Sequence, residues 1–535
     1  MNRRRFFANT ALAGLGTWLA GPAKQMAQSQ SEAIEVKNGT VNPQVKEAVL
    51  FPFDDQSIPF SEGLRLHLVS GKTPGKPNPI VVSRGKPGAP DDEAVRFYGT
   101  VIPFADELRM WYLGRSSLDQ DKEGQLRVCC ATSRDGLRWE KPRLGLVEFN
   151  ASKANNIVNI RGGRCEFAAL PVIFDATDPD PKRRYKLAFE SWVYKNQLAV
   201  AYSADGLNWT ESPNNPVGPN LEHTGLIKFD GCYYVNGHGG SHFGRTRKMV
   251  THASYDFELW TRASCLSFRR DNVPPRPVPT EWNNSEEVHL GAGLWDRGNV
   301  ILGVYDMWHA SPTSDRTFVA MDLGLVISHN ALQYHESIPD FRLVPAYEEL
   351  IDYSVTRKDS AGVPIPQNEY AMKVPLVRAP SLSHGQGMAN LGDKTFLWYE
   401  VWGSGDIRAA TWTRDRLGYF RLFHPEGQSA LPRSVRHCIT CPLRAVEGSA
   451  KAFVNVAGLS EHNELTVELL DEQFRPVDGY SGKACVPIRQ SGLRQPVVWK
   501  DRDKVQQMKA PFRLRFNFGG IRPEDIEFYA AYMTG

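Results

Sequence analysis

Beyond the first two dozen residues this chain has no apolar run long enough to span a bilayer. It also has little excess of either charge. Lys and Arg number 63 against 60 Asp and Glu, a formal net of +3. With no long basic run outside the extreme N-terminus, that balance excludes a polyanion-binding surface of the nucleic-acid type. Convincing helical periodicity is scarce, which argues against an α or α/β domain. Cysteine is limited to eight residues, and Cys438 and Cys441 form a lone CxxC. A zinc ribbon needs a second pair, and a redox CxxC should open a helix, so neither chemistry is supported. An even count permits disulfides without showing them.

What is present begins with a targeting segment. Arg3, Arg4 and Arg5 precede Phe6 and Phe7, a modestly apolar run follows to Ala20, and Gly21-Pro22-Ala23 supplies small residues at a cleavage point. This pattern resembles a bacterial twin-arginine signal, with an ordinary secretory signal or an uncleaved anchor as the alternatives. Residues 1–30 are assigned to the signal and a polar tail, and the chain up to Lys37 is expected to be disordered. The mature protein is then exported, to the periplasm or beyond, without a membrane span.

The body of the chain is organised by a repeat. CCATSRDGLRWE (129–140) returns as AVAYSADGLNWT (199–210) and, more loosely, as VTHASYDFELWT (250–261). Weaker echoes start at Leu323 and Ile407. Each copy is an alternating strand, a hydroxyl residue, an acidic turn and an aromatic that re-enters a core. Recurrence every 50–85 residues of a strand-turn-strand unit reads as blades of a β-propeller. Five such units are expected between 47 and 442. Residues 47–65 would be an opening strand pair, and the Gly- and Pro-rich stretch 73–90 a surface loop. After Pro442 the texture changes to short alternating strands, and 443–535 fit a β-sandwich. The fold class is therefore all-β: a five-bladed propeller followed by a β-sandwich, the latter read as a cap rather than a glycan-binding module.

The A-x-S-x-D-G-x-x-W turns, the inner strands and the terminal sandwich together resemble the five-bladed propeller glycoside hydrolases related to families 32 and 43. That resemblance implies an enzyme working on glycans with carboxylates at the propeller mouth. The family's carboxylate motifs are nevertheless absent. Phe97-Tyr98-Gly99-Thr100 stands at the first-blade N-D-P-N-G position, Cys165-Glu166-Phe167 at the second-blade R-D-P, and Leu221-Glu222-His223-Thr224 at the third-blade Glu-Cys. Only Glu166 and Glu222 lie near matching positions.

Antiparallel pairing brings the starts of inner strands and the ends of second strands to one face. The starts contribute Tyr98, Glu166, Glu222, His223, Glu287, His289 and Gln386. The ends contribute Arg115, Glu190, His238, Asp306, Trp308, His309 and Glu400. Acidic residues flanked by aromatics (AFESW, VYDMWH, WYEVWG) are expensive to bury without partners, and the adjacent Trp192, Trp308 and Trp402 suit a sugar ring. Glycoside hydrolysis needs one protonated and one ionised carboxyl. Glu166, Glu190, Glu222 and Asp306 are the catalytic candidates, with Glu222 as the acid. Arg115, His223, His238, His289, Trp308, Gln386 and Glu400 are the substrate-binding candidates, with Arg115 suited to an acidic sugar. Structural ion pairs and satisfied core histidines are the plain alternatives. No cofactor is expected, although His223, His238, His289 and His309 leave a structural metal at the axis as an alternative. Asp135 and Asp205, each followed by Gly, are turn formers.

Two functions fit. One is an exported glycosidase, exo-acting on oligosaccharide or polysaccharide fragments. The other is a non-catalytic carbohydrate-binding scaffold, favoured by the missing motifs. Replacing Arg3, Arg4 and Arg5 by Lys keeps the charge and should hold the precursor in the cytoplasm; undiminished export of the triple variant on fractionation would mean the general secretory route.

Overall fold

The computed structural model describes residues 33–39, 41–71, 76–119, 126–161, 169–239, 247–270, 286–309, 320–346, 381–401, 405–423 and 436–535. The stretch expected to be a signal, Glu166 and Trp402 lie outside them. Among the described residues there is no α-helix, only short 3-10 turns between strands.

Five antiparallel strand units follow one another, the first and fifth joined into one seven-stranded sheet by a parallel pairing of Gln386 with Thr100. Unit 1 comprises Ala94–Pro103, Leu108–Arg115 and Arg127–Ser133. Unit 2 comprises Val172–Phe174, Tyr185–Ser191, Gln197–Ser203 and Trp209–Glu211. Unit 3 comprises Glu222–Phe229, Cys232–Gly239, Lys248–Ser254 and Cys265–Phe268. Unit 4 comprises Glu286–Asp296, Ile301–His309, Ala320–Ser328 and Arg342–Val344. Unit 5 comprises Leu382–Leu391, Lys394–Val401 and Ile407–Thr413, and takes its fourth strand, Ile80–Val82, from the start of the chain. That strand corrects the reading of 73–90 as loop throughout. The first strands touch in a closed cycle, 1 to 2, 2 to 3, 3 to 4, 4 to 5 and 5 back to 1.

The contact between first strands is too close for side chains. A Cβ on Gly225 would stand 2.0 Å from the Ala292 carbonyl oxygen, one on Gly293 2.1 Å from that of Gly385, and one on Gly385 2.2 Å from that of Gly99. Glycine is what permits this approach. Between the strands, polar side chains meet backbone groups. Thr100 Oγ1 donates to Leu170 O (2.8 Å) and accepts from Val172 N–H (2.9 Å). Asn236 pairs with both backbone groups of Ala292 (3.1 and 2.8 Å). Gln386 of unit 5 accepts from Leu226 N–H in unit 3 (2.5 Å) and donates to Val172 O in unit 2 (3.3 Å). A buried backbone group left unpaired costs as much as a lost hydrogen bond, so these bridges are what make a tight waist tolerable.

The repeated turn is the same object in each copy. Ser133, Ser203 and Ser254 accept from the N–H three residues on at 2.9 Å. Asp135, Asp205 and Asp256 each accept two further backbone N–H bonds. Trp139, Trp209 and Trp260 each donate an indole N–H to the carbonyl three residues earlier. Asn330 and Tyr334 play the Asp and Trp parts in unit 4. The third residue of the turn is left-handed: Gly136 (φ 76°), Gly206 (φ 73°), Phe257 (φ 68°) and Ala331 (φ 59°). Neighbouring units read this geometry too, since Trp111 donates to Gly206 O (2.7 Å) and Trp398 to Gly136 O (2.9 Å).

Most of the remaining strands form two sheets over a shared core, and Ile34–Val36, Gln44–Val45 and Leu443–Ala445 form a third, small one. Glu47–Leu50, Leu64–Leu68 and Gly418–Leu422 join Lys451–Ala457, Gly492–Pro496 and Glu527–Thr534. Phe60–Glu62 and Arg436–Ile439 join Asn463–Leu470 and Arg513–Gly520. Both sheets bury side chains in one cluster that includes Leu50, Phe420, Val454, Val467, Phe516 and Phe528. The division at 442 and 443 is therefore corrected: residues 47–68 pair with C-terminal strands and not with the repeat units. Residues 527–534, the strand on which the larger sheet is built, carry no distinctive turn signal. The stretch GYSGKACVPI holds no strand; it has a 3-10 turn at Gly482–Ala484 and isolated bridges at Cys485 and Ile488. Ile34–Val36, expected in a disordered tail, pairs with Leu443–Ala445 and buries Ile34 and Val36.

The two sheets lean on units 4 and 5 through Phe51, Phe53, Leu302, Leu323 and Tyr532. Asp415, buried at the hairpin end of those units, accepts from Arg297 (2.5 Å), Asn390 (2.8 Å) and Tyr532 (2.9 Å). Cys129, Cys130, Cys232, Cys265, Cys438, Cys441 and Cys485 are all free thiols, and burial pushes those of Cys438 and Cys441 upward, away from redox reactivity.

The turn geometry makes a quantitative contrast. Gly206→Ala would force a left-handed alanine and drive its Cβ to 2.8 Å from the Trp111 ring, whereas Gly231→Ala, equally left-handed, meets nothing. Urea denaturation should show about 1–2 kcal/mol lost for Gly231→Ala and a further ~1–3 kcal/mol for Gly206→Ala. Equal losses would mean that the turn is not clamped by the neighbouring unit.

Candidate active site

Strand register places one set of polar side chains at the end of the units where first strands begin and second strands finish. Glu222 faces His238, Glu287 faces Trp308, His289 faces Asp306 and Ser383 faces Glu400. Just beyond these pairs the first strands of units 1, 3, 4 and 5 slip register, at Arg96/Thr100, His223/Gly225, His289/Ala292 and His384/Met388. A bulge re-aims the side chains beside it. The sequence carries a trace of this: Tyr98, His223, His289 and His384 each stand one or two residues before a glycine.

Asp306 is at the centre and fully buried. Its Oδ2 accepts from His289 Nδ1 (2.9 Å), and its Oδ1 accepts from His384 Nδ1 (2.5 Å) and His384 N–H (3.2 Å). Burial drives the carboxyl upward, but the His384 and His289 imidazoles outweigh it and hold Asp306 below its ordinary value. The His289 ring lies 4.9 Å from that of Trp308, tilted by 37°, and Arg247 lies over the same indole at 4.6 Å.

Three further carboxyls lie in this set; Glu190 feels the charge of Glu222, and Glu400 that of Asp306. The Glu222 side chain, 36% exposed, pairs with His238 Nε2 at 2.5 Å. Burial works against its ionisation, yet His238 prevails, with help from His289 and Arg247, and pulls Glu222 down to about 2. Glu190 ends the second strand of unit 2, and neither of its oxygens has a hydrogen-bond partner among the described residues. Burial, reinforced by the negative charge of Glu222, pushes it up to about 8. Glu400 is buried, accepts from Phe97 N–H through Oε2, and leaves Oε1 without a partner. Burial raises it to about 7 against the pull of Arg96. Tyr98 bonds Ser383 Oγ at 3.0 Å and packs on Ala169 and Leu290 from units 2 and 4.

The structure thus brings together Glu190, Glu222, His238, Glu287, His289, Asp306, Trp308 and Glu400 from the sequence-derived set. Others are placed elsewhere. Arg115 is ion-paired with Glu93 (3.1 Å). His223 is fully buried and donates to Leu221 O (3.1 Å). The Gln386 amide serves the waist. His309 is locked between Glu286 (2.6 Å) and Asp322 (2.9 Å), in a network that continues to the fully buried Arg270, and these carboxylates raise it despite burial. Glu166 lies outside the described residues. Glu222, the residue expected as the acid, is held ionised by His238, while burial pushes Glu190 up to about 8. Arg247, Ser383 and His384 were missed; only His384 carries a signal, its place before a glycine. Among the described residues no group of three or more His, Cys, Asp or Glu is arranged to hold a metal, so no residue here is assigned to one. A closed apolar void lined by Trp111, Val128, Leu170, Leu187 and Trp209 holds no titratable group.

No family model matches the chain, and no curated protein does. Among solved structures the chain is similar to a glycosyl hydrolase from Bacteroides ovatus, at 15% identity over 64% of this chain and 91% of that one, with a TM-score of 0.38. It is similar to a protein of the GH130 family of mannoside phosphorylases, described as containing glycoside hydrolases that target β-1,2-mannosidic linkages in Candida mannan (14%, 66% and 95%, TM-score 0.38). It is also similar to a thermostable family-43 glycoside hydrolase (12%, 65% and 97%, TM-score 0.33). At these scores no residue role is transferred from them.

Titration of this cluster should be visible in stability. Glu190 and Glu400 ionise at an ordinary 4.5 when unfolded but at about 8 and about 7 when folded. The folded state then holds protons that the unfolded state has released, so stability is full below pH ~4.5 and falls as pH rises through 7 and 8. Urea midpoints measured between pH 4 and 9 should show this decline, and Glu190→Gln should remove its upper part. A wild-type midpoint that rises over the same window would contradict protonated carboxyls at Glu190 and Glu400.

Proposed function

We propose that this chain is an exported enzyme that hydrolyses glycosidic bonds in oligosaccharide or polysaccharide fragments. In this reading the five units are blades of a five-bladed propeller, the two sheets over the shared core are a β-sandwich that buttresses it, and export uses the twin-arginine route. The observation that carries the function is the contrast between Glu190 and Glu222. One carboxyl, without partners among the described residues, is held protonated at neutral pH, while a neighbouring one, partly open to solvent, is held ionised. Two carboxyls with pKa values pushed apart are what acid-assisted glycoside cleavage requires.

Glu190 would donate a proton to the glycosidic oxygen as the bond breaks. Glu222 would meet the developing positive charge on the sugar, or activate the water that completes hydrolysis. Arg247, lying over the buried Trp308 ring, offers hydrogen-bonding edges for the sugar. Asp306 has both oxygens engaged by imidazoles, so it holds His289 and His384 in place rather than attacking. Glu400 supplies a second protonated carboxyl, and Glu166 is tested in the same way as the others. The competing reading, a carbohydrate-binding scaffold, draws on those engaged oxygens and on the absent family motifs.

The mature protein should be screened on aryl glycosides and oligosaccharides. Glu190→Gln and Glu222→Gln should each slow hydrolysis of an oligosaccharide by about 10²–10⁴. Loss of the Glu190 proton should give the wild-type rate an alkaline limb near pH 8. Glycan binding without turnover on any substrate would favour the scaffold, and turnover untouched by either substitution would move the site elsewhere.

A further inference from the structure

Trp192 is 55% exposed and the next residue, Val193, is 65% exposed. An indole facing water at a strand end calls for a reason, since the loop that carries it is tightly built. Ser191 Oγ accepts from Val193 N–H (3.3 Å), Lys195 N–H closes onto Trp192 O (2.9 Å), and Asn196 N–H onto Ser191 O (3.0 Å). Lys195 and Asn196 are both left-handed, at φ 55° and 58°. Below the loop, Arg161 donates to Ser191 Oγ (3.0 Å), stacks on Tyr194 (5.2 Å) and pairs with Glu211, which also accepts from Tyr194 OH (2.6 Å). The neighbours are tied inward, and Trp192 is held outward in a fixed place.

That place directly continues the strand ending in Glu190 and Ser191. A proton donor must stand beside the glycosidic oxygen, so the departing sugar lies on the donor's side of the broken bond. The apolar C–H face of a pyranose fits an indole ring, a large rigid surface offered at little entropic cost. We propose that Trp192, extended by Val193, is the platform on which the leaving-group sugar stacks, so that the substrate carries a sugar and not a small alcohol on that side. This rests on the reading of Glu190 as the donor.

The test is binding to the Glu190→Gln protein, which should hold substrate without turning it over. Calorimetry with manno-, xylo-, arabino- and gluco-tetrasaccharides should find at least one that binds. Adding Trp192→Ala should weaken that tetrasaccharide about tenfold, and Trp192→Phe should keep most of the affinity. Binding of the matching monosaccharide and the melting temperature should not change. With Glu190 intact, Trp192→Ala should raise KM for the oligosaccharide but not for the aryl glycoside of the same sugar. If a tetrasaccharide binds Glu190→Gln and the Trp192→Ala companion binds it within about twofold, the platform is wrong while the catalytic reading stands. If no tetrasaccharide binds, the catalytic reading falls and this inference with it. If Trp192→Ala instead abolishes self-association seen by sedimentation and leaves glycan affinity intact, the indole serves a protein interface and the proposal is overturned.

Discussion

The constraint on which the rest depends is the waist, where the first strands of units 1, 3, 4 and 5 meet at glycines that leave no room for a Cβ. Gly99, Gly225, Gly293 and Gly385 allow the approach, and Thr100, Asn236 and Gln386 satisfy the backbone groups that the approach would strand. Because Gln386 reaches from unit 5 to units 2 and 3, it closes the space between them. Immediately beyond the waist the strands bulge, and the side chains beside the bulges turn toward one another. The carboxylate cluster is thus a consequence of how tightly the units pack beneath it.

Electrostatics then sorts those carboxyls. A charge removed from water is tolerated only with partners, and each buried acid shows how it met that condition. Asp306 has two imidazoles, and Glu286 and Asp322 share His309 near Arg270. Glu222 has His238 and some solvent. Among the described residues Glu190 has neither a side-chain hydrogen bond nor an opposite charge close by, and burial raises it to about 8. Glu400, with one oxygen unpartnered among the described residues, shares this behaviour in part, and the proposed function rests on the contrast between such carboxyls and the paired ones.

The sheets outside the five units act from the other end. Asp415 joins Arg297, Asn390 and Tyr532 at the hairpin end of units 4 and 5, away from the carboxylate cluster. The arrangement agrees with a buttressing role and leaves the strand-end face to the five units. It also explains the chain's odd economy, in which N-terminal residues complete both a repeat unit, through Ile80–Val82, and the C-terminal sheets, through Glu47–Leu50.

The local chemistry was legible in the sequence. A Ser, an Asp two residues on, a residue able to turn left-handed and a Trp dictate one turn by short-range hydrogen bonds alone, so Trp139, Trp209 and Trp260 could be matched before any coordinates. Alternation gave the strands, and their antiparallel order gave the face that holds Glu190, Glu222 and Asp306. Long-range pairing was not legible. Nothing in residues 47–68 says that they join strands more than 350 residues away, because an alternating strand accepts any edge of suitable register. Nor did the sequence assign the proton. Glu190 and Glu222 are the same residue type in similar apolar surroundings, and which one keeps its proton depends on His238 standing within 2.5 Å of one and not the other, a distance set only when the units close around their waist.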